Sequence, residues 1–481
     1  MRIVFFSLLF FAPFTGSAQQ IENVRISLQL QDVSLLTVIQ RIESLTPFRF
    51  LARAEDIEME VHISVQANNQ SVSDILKQLL TARNLQFRQA GTNILLTRME
   101  TKTVTVTKFS VHGTIRSAKT GETIIGATVT IAGGAVATIS NEYGFYSLTL
   151  PAGQYTLQFS AIGSKTTQVP IDLTKDTQLS PALEEDSSEL AGVTVTARAP
   201  ATNRKSPQMS VERINVQSVR NLPVIFGERD ILKTMQLLPG VKSAGEGNSG
   251  FYVRGGTADQ NLILLDEAPV YNPSHLLGFF STFNSDAIKN VTLYKGAMPA
   301  QYGGRLSSVV DVKMNDGNNQ DVDVSGGIGL IASRLMVEGP LQKGRSSFLI
   351  SGRRTYADLF LHWFGDSSLR KASIYFYDLN TKLNFQLGEK DQLFLSGYFG
   401  RDVLSQQDLA GIDWGNTTGT LRWNHLFNEK LFSNTSLIYS NYDYEIISNT
   451  LATNYHIRSR IRDWNLKQEA QWYANARNTL T

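Results

Sequence analysis

Cysteine is absent from all 481 residues. That excludes disulfides and the lipidated cysteine of a lipoprotein, so an exported form must fold without covalent staples. Histidine is scarce, and its six copies are scattered with no second His or carboxylate at metal-ligand spacing. No paired metal ligands or nucleophile–base arrangement appears either. Catalytic, metal and cofactor sites are therefore not expected, and the chain does not read as an enzyme. A surplus of one charge is missing as well. The formal charge is +2 with acids and bases interspersed, which argues against a nucleic-acid partner. Past the first residues no apolar run approaches the roughly 20 that a membrane-crossing helix needs. If this protein enters a membrane, it must do so as a closed barrel of strands.

What is present begins with Arg2, the apolar run 3–14 and Gly16-Ser17-Ala18, the pattern of a secretory signal peptide over residues 1–18. The remaining length calls for several cores. Residues 24–100 look duplicated: an offset of 37 aligns Leu35, Val38, Ile39 and Ile42 with Val72, Ile75, Leu76 and Leu79. Both sets fall at i, i+3, i+4 and i+7, one face of a helix. Phe48 and Phe50 align with Leu85 and Phe87, the alternating positions of a following strand. The segment, through Ile26-Ser-Leu-Gln-Leu30 and Val72-Ser-Asp-Ile-Leu76, resembles the secretin and TonB short N-terminal domain. That resemblance implies a periplasmic signalling module that meets an anti-sigma factor.

Residues 108–184 read as a small β-sandwich of short alternating runs punctuated by turns at 119–121 and 141–144. Through Ile125-Gly-Ala-Thr-Val129, Asn141-Glu-Tyr-Gly-Phe-Tyr146 and Pro151-Ala-Gly-Gln-Tyr155 it resembles the carboxypeptidase-regulatory-like domain, which implies a spacer or docking module without peptidase chemistry. Residues 185–208 form a linker that is acidic, then β-prone, then Pro- and Ala-bearing. The run Val193, Thr194, Val195, Thr196, Ala197 could add itself to a partner's sheet edge. It could equally be the last strand of the sandwich. Its content and position resemble a TonB box.

Residues 209–318 carry the densest motifs. In order these are Asp230-Ile-Leu-Lys-Thr-Met-Gln-Leu-Leu-Pro-Gly240, Tyr252-Val-Arg-Gly-Gly256, Asn261-Leu-Ile-Leu-Leu-Asp266, Tyr271-Asn-Pro-Ser-His275, Gly278-Phe-Phe-Ser-Thr-Phe-Asn284, Tyr294-Lys-Gly296 and Gln301-Tyr-Gly-Gly-Arg-Leu-Ser-Ser308. Together they resemble the plug of Bacteroidetes-type TonB-dependent outer-membrane receptors, with Glu267 where that family usually has Gly. A helix over 228–238 with Ile231, Leu232, Met235 and Leu238 on one face should stop at Pro239-Gly240. Arg254 beside Gly255 and Gly256, and Arg305 beside Gly303 and Gly304, are expected to hold the plug in a polar lumen. The glycine pairs fit no nucleotide loop. Asp266, Tyr271, Asn272, Pro273 and His275 are further candidate positions, with His275 expected in an exposed turn at the plug apex.

From 319 to 481 long alternating strands take over. Leu383, Phe385 and Leu387 alternate with polar residues and return through a turn at 388–391 to Leu393 and Leu395. Another turn is read at 337–344 and a third at 428–430, with the facing of Leu437 and Ile438 open. This is the pattern of a transmembrane antiparallel β-barrel. A plugged transporter has about 22 strands, so the chain is expected to hold only the first part of one. The fold class is thus multidomain: a small α+β domain, a β-sandwich, an α/β plug and an incomplete barrel. The resemblance implies TonB as partner, outer-membrane lipids around the barrel, periplasmic N-terminal domains and import of a nutrient such as a ferric siderophore. A secretin-like export pore, and a glycan or peptide importer without signalling, are the competing readings.

Overall fold

The computed structural model describes residues 20–52, 62–99, 107–134, 136–186, 210–215, 229–245, 249–364, 369–406, 409–449 and 454–481. The signal peptide expected over 1–18 and the candidate box at 193–197 lie outside these residues. The chain divides into two compact units, Met1–Thr105 and Val106–Thr481.

In the first unit the sequence duplication becomes a structural one. Strand β1 (Arg25–Ser34) leads into helix α1 (Leu35–Leu45) and β2 (Arg49–Leu51); β3 (His62–Ser71) leads into α2 (Val72–Thr81), β4 (Leu85–Ala90) and β5 (Asn93–Arg98). Ser34 and Ser71, related by the same offset, cap the two helices: their hydroxyls accept from Thr37 N at 3.2 Å and Asp74 N at 3.1 Å. The eight aligned helical residues are all buried in one core with Phe48 and Leu85. β1 and β3 pair antiparallel with Arg25 opposite Ser71 and Ser34 opposite His62. The first residue of each strand therefore meets the last of the other, and the two pairings are equivalent, as an approximate two-fold axis requires.

The second unit begins with the sandwich. Its strands are β6 (Lys108–Thr114), β7 (Arg116–Ser117), β8 (Thr128–Ile131), β9 (Ala137–Ile139), β10 (Phe145–Pro151), β11 (Gly153–Ser160), β12 (Thr167–Leu173), β13 (Thr177–Gln178) and β14 (Ala182–Leu183). A three-stranded sheet, β10-β6-β13, faces a four-stranded one, β12-β11-β8-β9. Val111, Val129, Tyr146, Leu148, Leu157 and Phe159 fill the space between.

The plug follows. It comprises β15 (Val211–Asn215), α3 (Ile231–Met235), β16 (Val241–Ser243), β17 (Phe251–Val253), β18 (Asn261–Leu265), β19 (Ala268–Pro269), β20 (Ser274–His275), β21 (Phe280–Ser281), β22 (Ile288–Lys295) and β23 (Ser308–Met314). The central sheet runs β15-β22-β23-β18-β19. α3 is shorter than its periodicity suggests, because Asp230 caps it at residue 231: Oδ1 accepts from Lys233 N at 3.1 Å. Its apolar face is as read, with Ile231, Leu232 and Met235 buried and Leu238 packed against the same core.

The last nine strands form one antiparallel meander: β24 (Asp323–Ile328), β25 (Ala332–Gln342), β26 (Ser346–Thr355), β27 (Ala372–Gln386), β28 (Asp391–Gln406), β29 (Ala410–Asn428), β30 (Leu431–Asn449), β31 (Asn454–Asn475) and β32 (Asn478–Leu480). Helix α4 (Ala357–Phe364) lies in the connection between β26 and β27. The hairpins expected at 388–391 and 428–430 are present. The one read over 337–344 is confined to 343–345, since residues 337–341 pair with β26 as strand, with an irregularity after Pro340. Leu437 lies opposite Leu421 and Leu466, and all three are over 40 % exposed, whereas Ile438 on the other face is 4 % exposed. The leucine side is the lipid side. Among the described residues no helix is long and apolar enough to cross a membrane, which bears on helical spans alone.

Candidate functional site: the plug seat

Parity decides what the inner face of the meander presents. On β27 the residues opposite the leucines are Asp378, Asn380 and Lys382; on β29 they are Asn416, Thr418, Thr420 and Arg422, all buried. Such a polar wall is stable only where its groups find partners, because an unpaired buried charge costs several kcal/mol. The plug supplies them.

Lys382, 1 % exposed, sits at the centre. Its ammonium lies 3.0 Å from Asp266 and 3.0 Å from Asp316, and donates to the Met314 carbonyl at 2.9 Å. Asp266 in turn accepts from Met314 N at 3.0 Å, which ties the β18–β19 turn to the end of β23. Asp316 also pairs with Lys289 at 2.6 Å. Burial works against its charge, but Lys289, Lys382 and Arg422 outweigh that and hold its carboxyl far below the usual range. Further seats are the Asp286–Arg334 pair at 2.6 Å, Asn284 donating to Ser351 at 2.6 Å, and Arg353 donating to the Ser281 carbonyl at 2.8 Å.

Glu267, the departure from the family pattern, acquires a reason here. Leu264 pairs with Pro269 and Leu265 with Ala268, so Asp266 and Glu267 are the two loop residues of a tight hairpin, with φ of 45° and 74°. Left-handed backbone at both positions is the type I′ turn, which suits glycine and disfavours a side chain. The Glu267 carboxylate offsets that cost by accepting from Tyr143 OH at 3.0 Å, Asn434 Nδ2 at 3.1 Å and Lys467 Nζ at 3.2 Å. Burial disfavours its ionisation. Lys313, Lys467 and Arg422 prevail and bring its pKa down to about 2.

Tyr143 belongs to the sandwich, so the same carboxylate joins sandwich, plug and barrel. Other bonds reinforce this junction. Glu122 accepts the backbone N–H groups of Asp316 and Gly317, Asn141 donates to Gln471 at 2.9 Å, and Phe145 stacks on Phe432 with ring centres 5.4 Å apart. The sandwich is docked rather than a free spacer.

At the apex His275 differs from its expected place. It is 1 % exposed, stacked on Phe376 at 4.1 Å and clamped between Asp402 at 2.6 Å and Asp378 at 3.4 Å. The Asn-Pro-Ser-His turn looked exposed because its partners lie more than 100 residues downstream. Burial lowers the imidazole pKa, but the two carboxylates outweigh it and the net shift is upward. Because the folded value is raised, the stabilisation is fully present below the unfolded pKa of about 6.5 and is lost as pH rises through the folded value. We expect the thermal stability of the full receptor to decline as pH rises above about 6.5, and Asp402→Asn to flatten that decline. Equal slopes for both proteins in melts across pH would count against the clamp. Tyr271 bonds Asp463 through its hydroxyl and Asn416 through its backbone N–H at 3.1 Å, while the Asn272 carbonyl accepts from Asn416 Nδ2 at 3.4 Å. The Pro273 carbonyl accepts from Thr282 N at 3.1 Å.

Arg254 and Arg305 do not act as expected. Arg254 donates to Ser210 Oγ at 2.7 Å and lies over Gly296, where an added Cβ would come within 2.9 Å of its guanidinium. It braces the plug's own first strand. Arg305 donates to the Gly304 carbonyl at 2.8 Å. Neither forms an ion pair with a barrel residue among the described residues. Gly256 packs tightly on Ser307, whose Cβ would lie 2.4 Å from an added one, while Gly255 and Gly304 take positive φ in turns and Gly303 has open space around it. The residues that seat the plug, Lys382, Asp378, Asp402, Arg353 and Arg334, escaped the sequence reading. Their signal was the alternation of charged residues with leucine in the strands.

Two family models match parts of the chain. Residues 111–195 match the family described as the CarboxypepD_reg-like domain, and residues 189–310 match the TonB-dependent Receptor Plug Domain. No curated protein sequence matches. Among solved structures, the siderophore receptor PirA from Acinetobacter baumannii is 17% identical with a TM-score of 0.43, over 57% of this chain and 47% of its own. FpvA of Pseudomonas aeruginosa is 13% identical with a TM-score of 0.42, over 93% of this chain and 53% of its own. The outer membrane transporter YddB from Escherichia coli is 13% identical with a TM-score of 0.41, over 55% and 45%. The chain spans about half the length of these structures.

Proposed function

Because the chain carries a TonB-dependent receptor plug domain behind a carboxypeptidase-regulatory-like domain, and is thereby a protein of the outer membrane, we propose that it is part of an active importer. The observation that carries this reading is a plug domain seated by buried ion pairs on the polar inner face of a meander whose outer face is apolar. A wall of that kind keeps a lumen closed at rest, yet its charges can be rehydrated when the plug is displaced. TonB supplies the force from the inner-membrane proton gradient, and the cargo is a nutrient too large or scarce for passive pores. The protein's work is transport rather than catalysis. The turn Asp266-Glu-Ala-Pro269 stands where glycan importers of this class carry Asp-Gly-Val-Pro, which favours an iron chelate as cargo. Uptake of radioiron chelates by cells expressing the complete receptor should be saturable and collapse with a protonophore. Passive, gradient-independent entry would overturn the proposal.

The duplicated domain at 24–100 adds signalling through contact with an anti-sigma factor. It has its own core and constitutes a separate compact unit, so it should be removable. Deleting residues 24–100 is expected to abolish cargo-induced transcription while leaving uptake near normal, measured as a pair in one strain. Loss of both would make it part of the transport machinery, and loss of neither a spacer.

A further inference from the structure

The inner wall of the meander departs from its polar character at one end. Where the hairpins turn at 388–391 and 428–430, short as periplasmic turns are, the last inward-facing rung is Leu426, Phe432 and Gln471, set opposite one another across β29, β30 and β31. Tyr473 is the next inward residue along β31. A lumen is ordinarily lined by polar side chains. Phe432 and Tyr473 are nonetheless only 6 % and 5 % exposed, because the sandwich covers them.

The cover is the turn that leads from β9 into β10. Asn141 shapes it: its Oδ1 accepts from Tyr143 N at 2.9 Å and from Phe145 N at 3.0 Å, and Gly144 takes a φ of 78°, with Thr123 2.8 Å from where a Cβ would stand. The turn directs Tyr143 and Phe145 away from the sandwich's own core and against the inner wall. Tyr143 stacks on Phe432 with ring centres 5.3 Å apart and carries the Arg422 guanidinium over its ring at 5.2 Å, while Phe145 meets Tyr473 edge-on at 5.7 Å. Between them Glu142 pairs with Lys313 of the plug at 3.5 Å. A second sandwich turn, 119–123, grips the stretch that joins plug to barrel: Asn319 N donates to the Thr120 carbonyl at 2.9 Å, and the Asn319 side chain leaves no room for a Cβ on Gly121. A free spacer would hold two large aromatic side chains in water. Here they are matched by an aromatic rung where a lumen should be polar, so each surface breaks its own rule only where it meets the other.

We propose that the carboxypeptidase-regulatory-like sandwich is an exit gate: its 141–145 turn closes the periplasmic mouth along β29 to β31, against the plug, and has to withdraw in each transport cycle before cargo can leave. The assignment rests on the importer reading and gives the sandwich a function of its own, a second closure in addition to the plug. A pull on the linker between the two domains reaches the gate through β14 as directly as it reaches the plug through β15.

Asn141 donates to Gln471 across this boundary at 2.9 Å, and the absence of cysteine from these 481 residues lets Asn141→Cys with Gln471→Cys report on it in the complete receptor. An ethylene-spaced bis-methanethiosulfonate, which dithiothreitol cleaves, should link the pair in most resting molecules. Linked cells should lose energised uptake of radioiron chelates yet keep cargo at the surface, the linked receptor should still capture the periplasmic domain of TonB, and cleavage should restore uptake. Phe145→Asp, which lies outside the sandwich core and sets a charge against Phe432, should cut the yield of linking roughly tenfold. A pair that fails to link at rest, linking indifferent to Phe145→Asp, or uptake that continues through the link would each overturn the gate. Loss of TonB capture on linking would overturn it too, by placing the block at the box. An unlinked receptor without energised uptake of any compound would overturn the importer reading itself, and the gate would fall with it.

Discussion

Replacing Lys382 by Met is expected to loosen the plug by about 3–5 kcal/mol, the cost of leaving buried charge without its partner. Lys382 is 1 % exposed and lies between Asp266 and Asp316 at 3.0 Å each. Asp316 retains Lys289, but among the described residues Asp266 has no other cation within ion-pair distance. The measurement is the urea concentration at which the complete receptor in a planar bilayer begins to conduct ions, a readout of plug displacement rather than barrel unfolding. Neutralising the stranded acid in the same protein with Asp266→Asn should recover most of the loss, because it is the uncompensated charge and not the missing contact that destabilises. An unchanged midpoint in Lys382→Met would mean that the seat is held by shape and not by charge.

Deleting residues 193–197 is expected to abolish energised uptake altogether while surface binding of cargo is retained. The segment lies outside the described residues, and the expectation rests on its sequence and on what flanks it. On one side β14 ends the sandwich at Leu183; on the other β15 begins the edge of the plug sheet at Val211. A strand that adds to a partner's sheet edge between these two points would transmit force to both without contributing to the cargo site. Binding and accumulation measured in the same cells separate the two roles, and gradient-dependent accumulation by the deletion strain would place the box elsewhere.

The sandwich changes how that force would be shared. Glu122 caps the backbone at Asp316 and Gly317, and Tyr143 bonds Glu267. Both plug residues flank the Lys382 seat. A pull that dislodges the sandwich therefore removes a hydrogen bond from the Glu267 carboxylate and strips the acceptor from the backbone N–H groups of Asp316 and Gly317.

Local physical chemistry made much of this legible in the sequence. The helical stripes of the first unit, the alternating strands and the Gly- and Pro-punctuated turns depend on neighbours a few residues away, so local pattern reports them. The pairing of β1 with β3 across the 37-residue duplication came from the structure. What tertiary structure alone decided is which polar residues meet. Lys382 finds Asp266 from a distance of more than 100 positions, His275 finds Asp378 and Asp402, and Glu267 finds Tyr143 on one side and Lys467 on the other. No local pattern encodes such pairs, since a charge facing a lumen and a charge facing solvent alternate with leucine in the same way. The arginines beside glycine pairs misled for that reason: their surroundings were conspicuous in sequence, while the charges that seat the plug were set by strand register and by the face each strand turns inward.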